Sequence, residues 1–258
     1  YLIKDWLRIM ELKIHNLYLN HKNFIVYKFF NSLFLGTSIG SIFIIYSPLE
    51  PAIYSVGGIV LAFGLMTVAY FYEKILNIEF FYKISLFVEL VILGVIISFL
   101  IFSYSYEIAL CVYIGYQITF IFGSYLGRVE TLLLKEKSIL KAVDISKQAG
   151  YMVGLLLSYI IFLFIGIKAT DLNDGNIQIN ETHKQYILTK ENKLLIGFQI
   201  PDMDEDKVYE KKELSSTQLS SLKTIVSKNQ VYYLHYVLVL FEILVIIFLM
   251  RSFRSRSG

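Results

Sequence analysis

Six long apolar runs, joined by short loops that are basic on one side and free of lysine and arginine on the other, constrain this chain more than any local motif. A helix that crosses a bilayer needs about 20 mostly apolar residues, and that template is met at 24–46, 52–72, 84–104, 108–127, 148–167 and 232–250. Lys4, Arg8, Lys13 and Lys22 lie in the arm that leads into the first run, with Lys28 just inside that run on the same side, and Lys74 and Lys83 follow the second. Arg128, Lys135, Lys137, Lys141 and Lys147 follow the fourth, and Arg251, Arg254 and Arg256 follow the sixth. The loops around Glu50 and Glu107 carry neither cation. Lys and Arg accumulate on the cytoplasmic side of membrane proteins. The sequence therefore predicts an all-α polytopic membrane protein with six transmembrane helices and both termini in the cytoplasm.

The bulk composition agrees, with 56% hydrophobic and only 17% charged residues, a balance suited to lipid as the main solvent. The net charge of +3 is partitioned by side rather than pooled on one surface, which argues against a nucleic-acid interface. Cys111 is the single cysteine and sits in an apolar run, so neither a disulfide framework nor a thiolate metal cluster can be built from it alone. The basic opening segment lacks the short apolar core and cleavage site of a signal peptide, and insertion is expected to rely on the first span. Heavy use of Ile, Lys and Phe points to an AT-rich bacterial genome, hence to the bacterial cytoplasmic (inner) membrane.

Three segments lie outside the spans. Residues 1–23 place Ile3, Leu7, Met10, Ile14 and Leu17 at heptad-like spacing with Lys4, Asp5, Arg8 and Glu11 off that stripe. Such a helix would lie in the cytoplasmic interface or pack on a partner helix. Residues 168–231 hold nine Lys and ten Asp or Glu, and a loop of that length translocates regardless of charge. They are expected to form a small α+β extracytoplasmic insert. Gln185–Thr189 and Lys193–Ile200 flank the polar turn Lys190-Glu191-Asn192 as a hairpin would, and Ser215–Lys228 has a serine cap with helical spacing of Leu219, Leu222 and Val226. So little structure buries little core by itself, so it is expected to rest on the membrane part, a second copy or a partner. Residues 251–258 form a basic tail.

Polar groups within spans are costly and mark chemistry or interhelical contact. Tyr113, Gln117, Ser124 and Arg128 recur near one face of span four, and Asp144, Gln148, Tyr151 and Ser158 near one face of span five. Arg128 and Asp144 flank a short loop and are expected to pair. The same stripes serve equally as hydrogen-bonding glue or as the lining of a hydrophilic path. Glu89 lies six residues past Lys83, and Glu242 sits near the middle of span six with His235 two turns away. A carboxyl at such depth is protonated, paired or facing water, which makes the two acids candidates for proton coupling. Neither has an obvious mate in the sequence. Gly36 and Gly40, Gly123 and Gly127, and Gly150 and Gly154 have the four-residue spacing that lets helices approach closely.

Other patterns carry less. Asp202, Asp204, Asp206, Glu210 and Glu213 fall at ligand positions of a calcium loop, but Lys207 stands where that loop needs glycine, and Pro201 abuts its start. The run reads as a solvated acidic turn. Asn180-Glu181-Thr182 is a glycosylation sequon only in a eukaryotic setting. His15, His21, His183 and His235 offer no metal pair at helical spacing, and no phosphate-binding glycine loop occurs. No cofactor, metal or catalytic constellation is expected, and an enzyme is the least supported class.

Ser32-Leu33-Phe34-Leu35-Gly36-Thr37-Ser38-Ile39-Gly40 in span one, Glu73-Lys74 between spans two and three, Arg128 at the end of span four, and Gly150 and Gly154 in span five recur in an order that resembles the N-terminal six-helix half of a major facilitator superfamily transporter. The resemblance covers roughly residues 24–167. The family's glycine-rich loop is absent, since the chain reads Tyr72-Glu73-Lys74-Ile75-Leu76-Asn77, and the glycine-proline pattern of the antiporter branch is missing from span five. The resemblance implies alternating access between two such halves, so this chain would act as a dimer or with a partner subunit. On that reading a small polar or ionic solute passes Tyr113, Gln117 and Gln148, Arg128 with Asp144 gates the path, and Glu89 or Glu242 exchanges a proton. The alternative is a non-transporting anchor of a larger envelope complex, with 168–231 binding a partner.

Overall fold

The computed structural model describes residues 17–102, 104–164, 177–180, 185–188, 193–195 and 216–255. The chain is a multi-pass membrane protein, with six helices among the described residues that are long and apolar enough to cross a bilayer. These are α1 (His21–Ile45), α2 (Pro51–Tyr70), α3 (Ile78–Phe102), α4 (Tyr106–Leu133), α5 (Lys137–Phe164) and α6 (Ser216–Ser252). Each helix covers most of one long apolar run of the sequence. Two helices begin well before their runs, α5 at Lys137 rather than near 148 and α6 at Ser216 rather than near 232. Lys, Glu and Gln are good helix formers, so the backbone helix continues where hydropathy stops.

The helix ends follow their capping residues. The Asn20 side chain accepts from the Asn23 amide at 3.2 Å to open α1, Asn77 accepts from Phe80 at 3.0 Å to open α3, and Ser105 accepts from Ile108 at 3.2 Å to open α4. Pro51 takes the first position of α2 behind an extended Glu50, where its missing N–H costs nothing. One helical turn, Tyr72–Ile75, joins α2 to α3.

The chain divides into two compact units, one formed by residues 1–158 and 235–258 and the other by 159–234. In the first, glycines bring α1 against α5. A Cβ added at Gly36 would collide with the Tyr151 carbonyl oxygen, one at Gly150 with that of Phe29, and one at Gly154 with that of Leu33. Thr37 Oγ1 donates to Leu33 O at 2.8 Å and lies 3.3 Å from Gly154 O across the same seam. The expected close approach at Gly36, Gly150 and Gly154 is thus made within one copy. Gly123 and Gly127 have open space beside them instead. Helix α2 meets α4 where Gly57 faces Tyr113 and Gly64 faces Ile121, and the rest of α2 is turned outward, with Ile59, Phe63 and Met66 exposed for lipid.

Leu17 does not continue an amphipathic helix. Leu17–Leu19 is a strand, β1, antiparallel to a strand in the tail, Phe253–Ser255, with Leu17 opposite Ser255. The β-branched and aromatic composition is slight, but the pairing is backed by Asn20 N donating to Ser252 O at 2.8 Å and Asn23 Nδ2 to Arg251 O at 2.9 Å. The entry to α1 and the exit from α6 therefore lie side by side. Residues 1–16, which carry the rest of the predicted amphipathic stripe, lie outside the described residues.

In the second unit, β2 (Ile177–Asn180), β3 (Gln185–Leu188) and β4 (Lys193–Leu195) form an antiparallel sheet in that order, numbering the tail strand β5. Strands β3 and β4 are the arms of the predicted hairpin, and β2 is an addition the polar Gln178 and Asn180 concealed. Gln230 Nε2 donates to Phe162 O at 3.1 Å. The predicted helix from Ser215 runs without a break into the sixth span. The acidic run at 202–213 lies outside the described residues.

Candidate functional site

Three helices of the first unit bring polar side chains to one buried place. Glu89 on α3 is 1% exposed and Glu242 on α6 is fully buried. Tyr27 and Asn31, one turn apart on α1, reach the same oxygen: Tyr27 Oη donates to Glu89 Oε1 at 2.7 Å, and Asn31 Nδ2 at 3.0 Å. Glu89 Oε2 and both Glu242 oxygens have no hydrogen-bond partner, and the two carboxyls stand close enough to act on one another. Two carboxylates are acceptors only, so a bond between them requires a proton held in common. The two acids that lacked mates in the sequence are mates of each other. Ser85, one turn before Glu89 and 1% exposed, also leaves its hydroxyl without a partner. A buried polar group left unsatisfied costs about 1–3 kcal/mol, a cost the chain bears at several atoms here.

Beside this pair stands a second buried acid with the opposite arrangement. Glu130 on α4 pairs with Lys28 of α1, Nζ to Oε2 at 2.7 Å, and with Lys147 of α5 through its other oxygen. Lys28 is itself buried, with its ammonium over the rings of Tyr27 at 5.1 Å, Phe24 at 5.3 Å and Phe81 at 6.0 Å. Lys28 also acts electrostatically on Glu89. Lys147 closes the line at 3.5 Å from Asp144, whose side chain is 61% exposed.

This overturns the expected pairing of Arg128 with Asp144. Arg128 lies over the Tyr72 ring at 5.4 Å, and Asp144 takes Lys147, three residues along its own helix. The ion pairs that join α4 to α1 and α5 run instead through Glu130, two residues beyond Arg128. The residues of the signal were visible, but Lys28 and Lys147 read as topology charges because a positive residue near a span end has that default role.

The predicted solute-facing residues are divided, with Tyr113 and Gln117 one turn apart on α4 and Gln148 on α5. Tyr113 is 7% exposed, wedged against Gly57 and edge-on to Tyr46 and Tyr54, with its hydroxyl donating to Tyr54 O at 3.4 Å. Burial, with the hydroxyls of Tyr116, Tyr113 and Tyr54 nearby, pushes the Tyr46 hydroxyl well above the ordinary tyrosine range. Gln148 is exposed on α5. Gln117 Oε1 is buried without a partner. Its neighbour Tyr116 borders a small apolar cavity with Ile92, Val95, Ile96, Gly115 and Thr119. His235 is buried with its ring 4.1 Å from that of Phe99.

Among the described residues no group of three His, Cys, Asp or Glu side chains could hold a metal ion. His15 and His183 lie outside them, and Cys111 is an exposed thiol. No family model, curated protein or solved structure matches the chain.

Proposed function

We propose that this chain is an integral membrane transport protein that couples a proton to the passage of a small polar or ionic solute, as a dimer or with a partner subunit. The observation that carries the reading is the Glu89–Glu242 pair: two facing carboxyls, fully buried, with three oxygens that receive no other donor. A chain selected only for stability would satisfy or replace such atoms. Proton binding and release uses them as they stand. The major facilitator resemblance adds a framework in which such a half needs a second half to enclose a path, and the bacterial inner membrane is the setting that fits the sided charges.

The test is proton entry into proteoliposomes, read by a trapped pH-sensitive dye, when gradients of candidate solutes are imposed. Solute-dependent acidification should be lost in Glu89→Gln and Glu242→Gln. Acidification that persists unchanged in the double variant would remove proton coupling through this pair. The anchor-subunit reading is favoured by one set of observations, the packed Tyr113 and the outward Gln148 and Asp144. A stoichiometric foreign subunit after purification in mild detergent, with no solute-driven proton flux, would establish that reading instead.

A further inference from the structure

The buried acids of the first unit are joined by a line of charged and polar groups that reaches solvent: Glu242, Glu89, Tyr27, Lys28, Glu130, Lys147 and Asp144. Tyr27 to Glu89 is a hydrogen bond and the run from Lys28 to Asp144 is made of ion pairs, while Glu242 stands beside Glu89 with no hydrogen bond to either of its oxygens. At the step from Tyr27 to Lys28 the ammonium faces the Tyr27 ring and acts on Glu89 through space. Lys28 is thus the one member of the line placed between two anions and bonded to only one of them.

Resting on the proton reading above, we propose that Lys28 is shared between Glu130 and Glu89, pairing with Glu130 while the Glu89–Glu242 pair holds its proton and moving to Glu89 when that proton leaves for water, so that proton occupancy deep in the unit governs the ion clasp between α1, α4 and α5.

Several features fit the exchange. Lys28 and Asn31 are three residues apart on α1 and therefore on one face, and Asn31 already touches Glu89. A lysine is a point charge on a flexible four-carbon stem with three donors, and here the rings of Phe24, Tyr27 and Phe81 line the ammonium's surroundings with aromatic faces that tolerate a cation at several positions. Glu130 is not stranded when Lys28 leaves, because Lys147 holds its other oxygen. That is the reason a single buried acid with two lysines is useful. The remaining groups facing the site are accounted for. Tyr27 and Asn31 donate to Glu89 in either state, Tyr116 of α4 stands near Ser38 and Glu242, and His235 lies two turns along α6 against Phe99.

What the exchange would release is also visible. At the same end of α1, Ser146 Oγ of α5 donates to Ile25 O at 2.8 Å, so a thiol at position 146 reports whether α1 and α5 are closed. The experiment uses the full chain in lipid nanodiscs with Cys111→Ser and Ser146→Cys, labelled by a soluble maleimide over a pH series. Rates are divided by those of a control cysteine at exposed Lys141. Labelling should rise about tenfold, a typical coupling between sites, as the pH passes through deprotonation of the pair.

In the Glu89→Gln, Glu242→Gln background the rate should stay low at every pH, and Lys28→Met should label fast at every pH while Lys28→Arg restores the wild-type rise. Monodisperse elution of each variant separates clasp opening from unfolding. A rise that survives the double glutamine substitution, or slow labelling in Lys28→Met, overturns the exchange. Flat labelling alongside loss of solute-driven proton entry in the glutamine variants overturns the exchange alone. Unchanged proton entry in those variants overturns the transport reading beneath it.

Discussion

Glu130 and Glu242 are both acids buried in the same unit, and they are treated in opposite ways. Glu130 has a lysine for each of its oxygens, whereas Glu242 has no donor for either and meets only another carboxyl. A fully paired buried acid is a fastener, since its removal strands the cations it held. An acid facing an acid is a poor fastener and a good proton site, because the pair is complete only when a proton is present. The contrast separates residues that hold helices from residues that keep chemistry in reserve.

The hardest blow to that contrast comes from Glu130→Ala. It leaves Lys28 buried without the anion it pairs with and Lys147 with Asp144 alone, and breaking one partner of a buried ion pair costs about 3–5 kcal/mol. Unfolding of the protein in lipid–detergent micelles should show a loss of that order. A loss below about 1 kcal/mol, the range of exposed pairs, would mean the ions are solvated and Glu130 is no fastener.

Next in size is the seam that keeps α1 in register with both acids. Gly154→Val places a branched side chain against the Leu33 carbonyl, and overpacking of this kind costs about 1–3 kcal/mol. Gly127→Val, with open space beside it, should cost well under half as much in the same unfolding assay. Equal losses would show that helix propensity, and not the α1–α5 approach, sets the effect.

These residues also show what was legible in advance. The six spans, the close packing of Gly36, Gly150 and Gly154, and the two deep acids all follow from local signals: run length, four-residue spacing, and a charge where lipid forbids one. The pairing of Glu89 with Glu242 does not, because the residues lie 153 positions apart in the numbering and nothing local states which helices touch. Arg128 and Asp144 failed for the same reason in reverse. Proximity across a short loop suggested an ion pair, while the rotation of each helix sent Arg128 to Tyr72 and gave Asp144 to Lys147. The strand β1 was hidden because Leu17 fits a helical stripe as well as a strand, and its partner is at the other end of the chain.

The smallest effects test the chemistry of the pair itself. Tyr27→Phe removes one donor from Glu89 and nothing else, and intramembrane hydrogen bonds average about 0.6 kcal/mol. Glu242→Gln works in the other direction, since an amide supplies donor hydrogens at every pH, which two facing carboxylates lack once their proton has left. Its Nε2 can donate to Glu89 Oε2, an oxygen that receives nothing from the rest of the protein. The substitution should therefore leave stability unchanged or raise it by up to about 1 kcal/mol, although it removes the proton site. Glu130→Gln has no such escape, because both oxygens of Glu130 already serve lysines and an amide nitrogen would face one of them. Opposite signs for these two glutamines in one unfolding assay would hold the comparison; two losses of similar size would make Glu242 a fastener like Glu130.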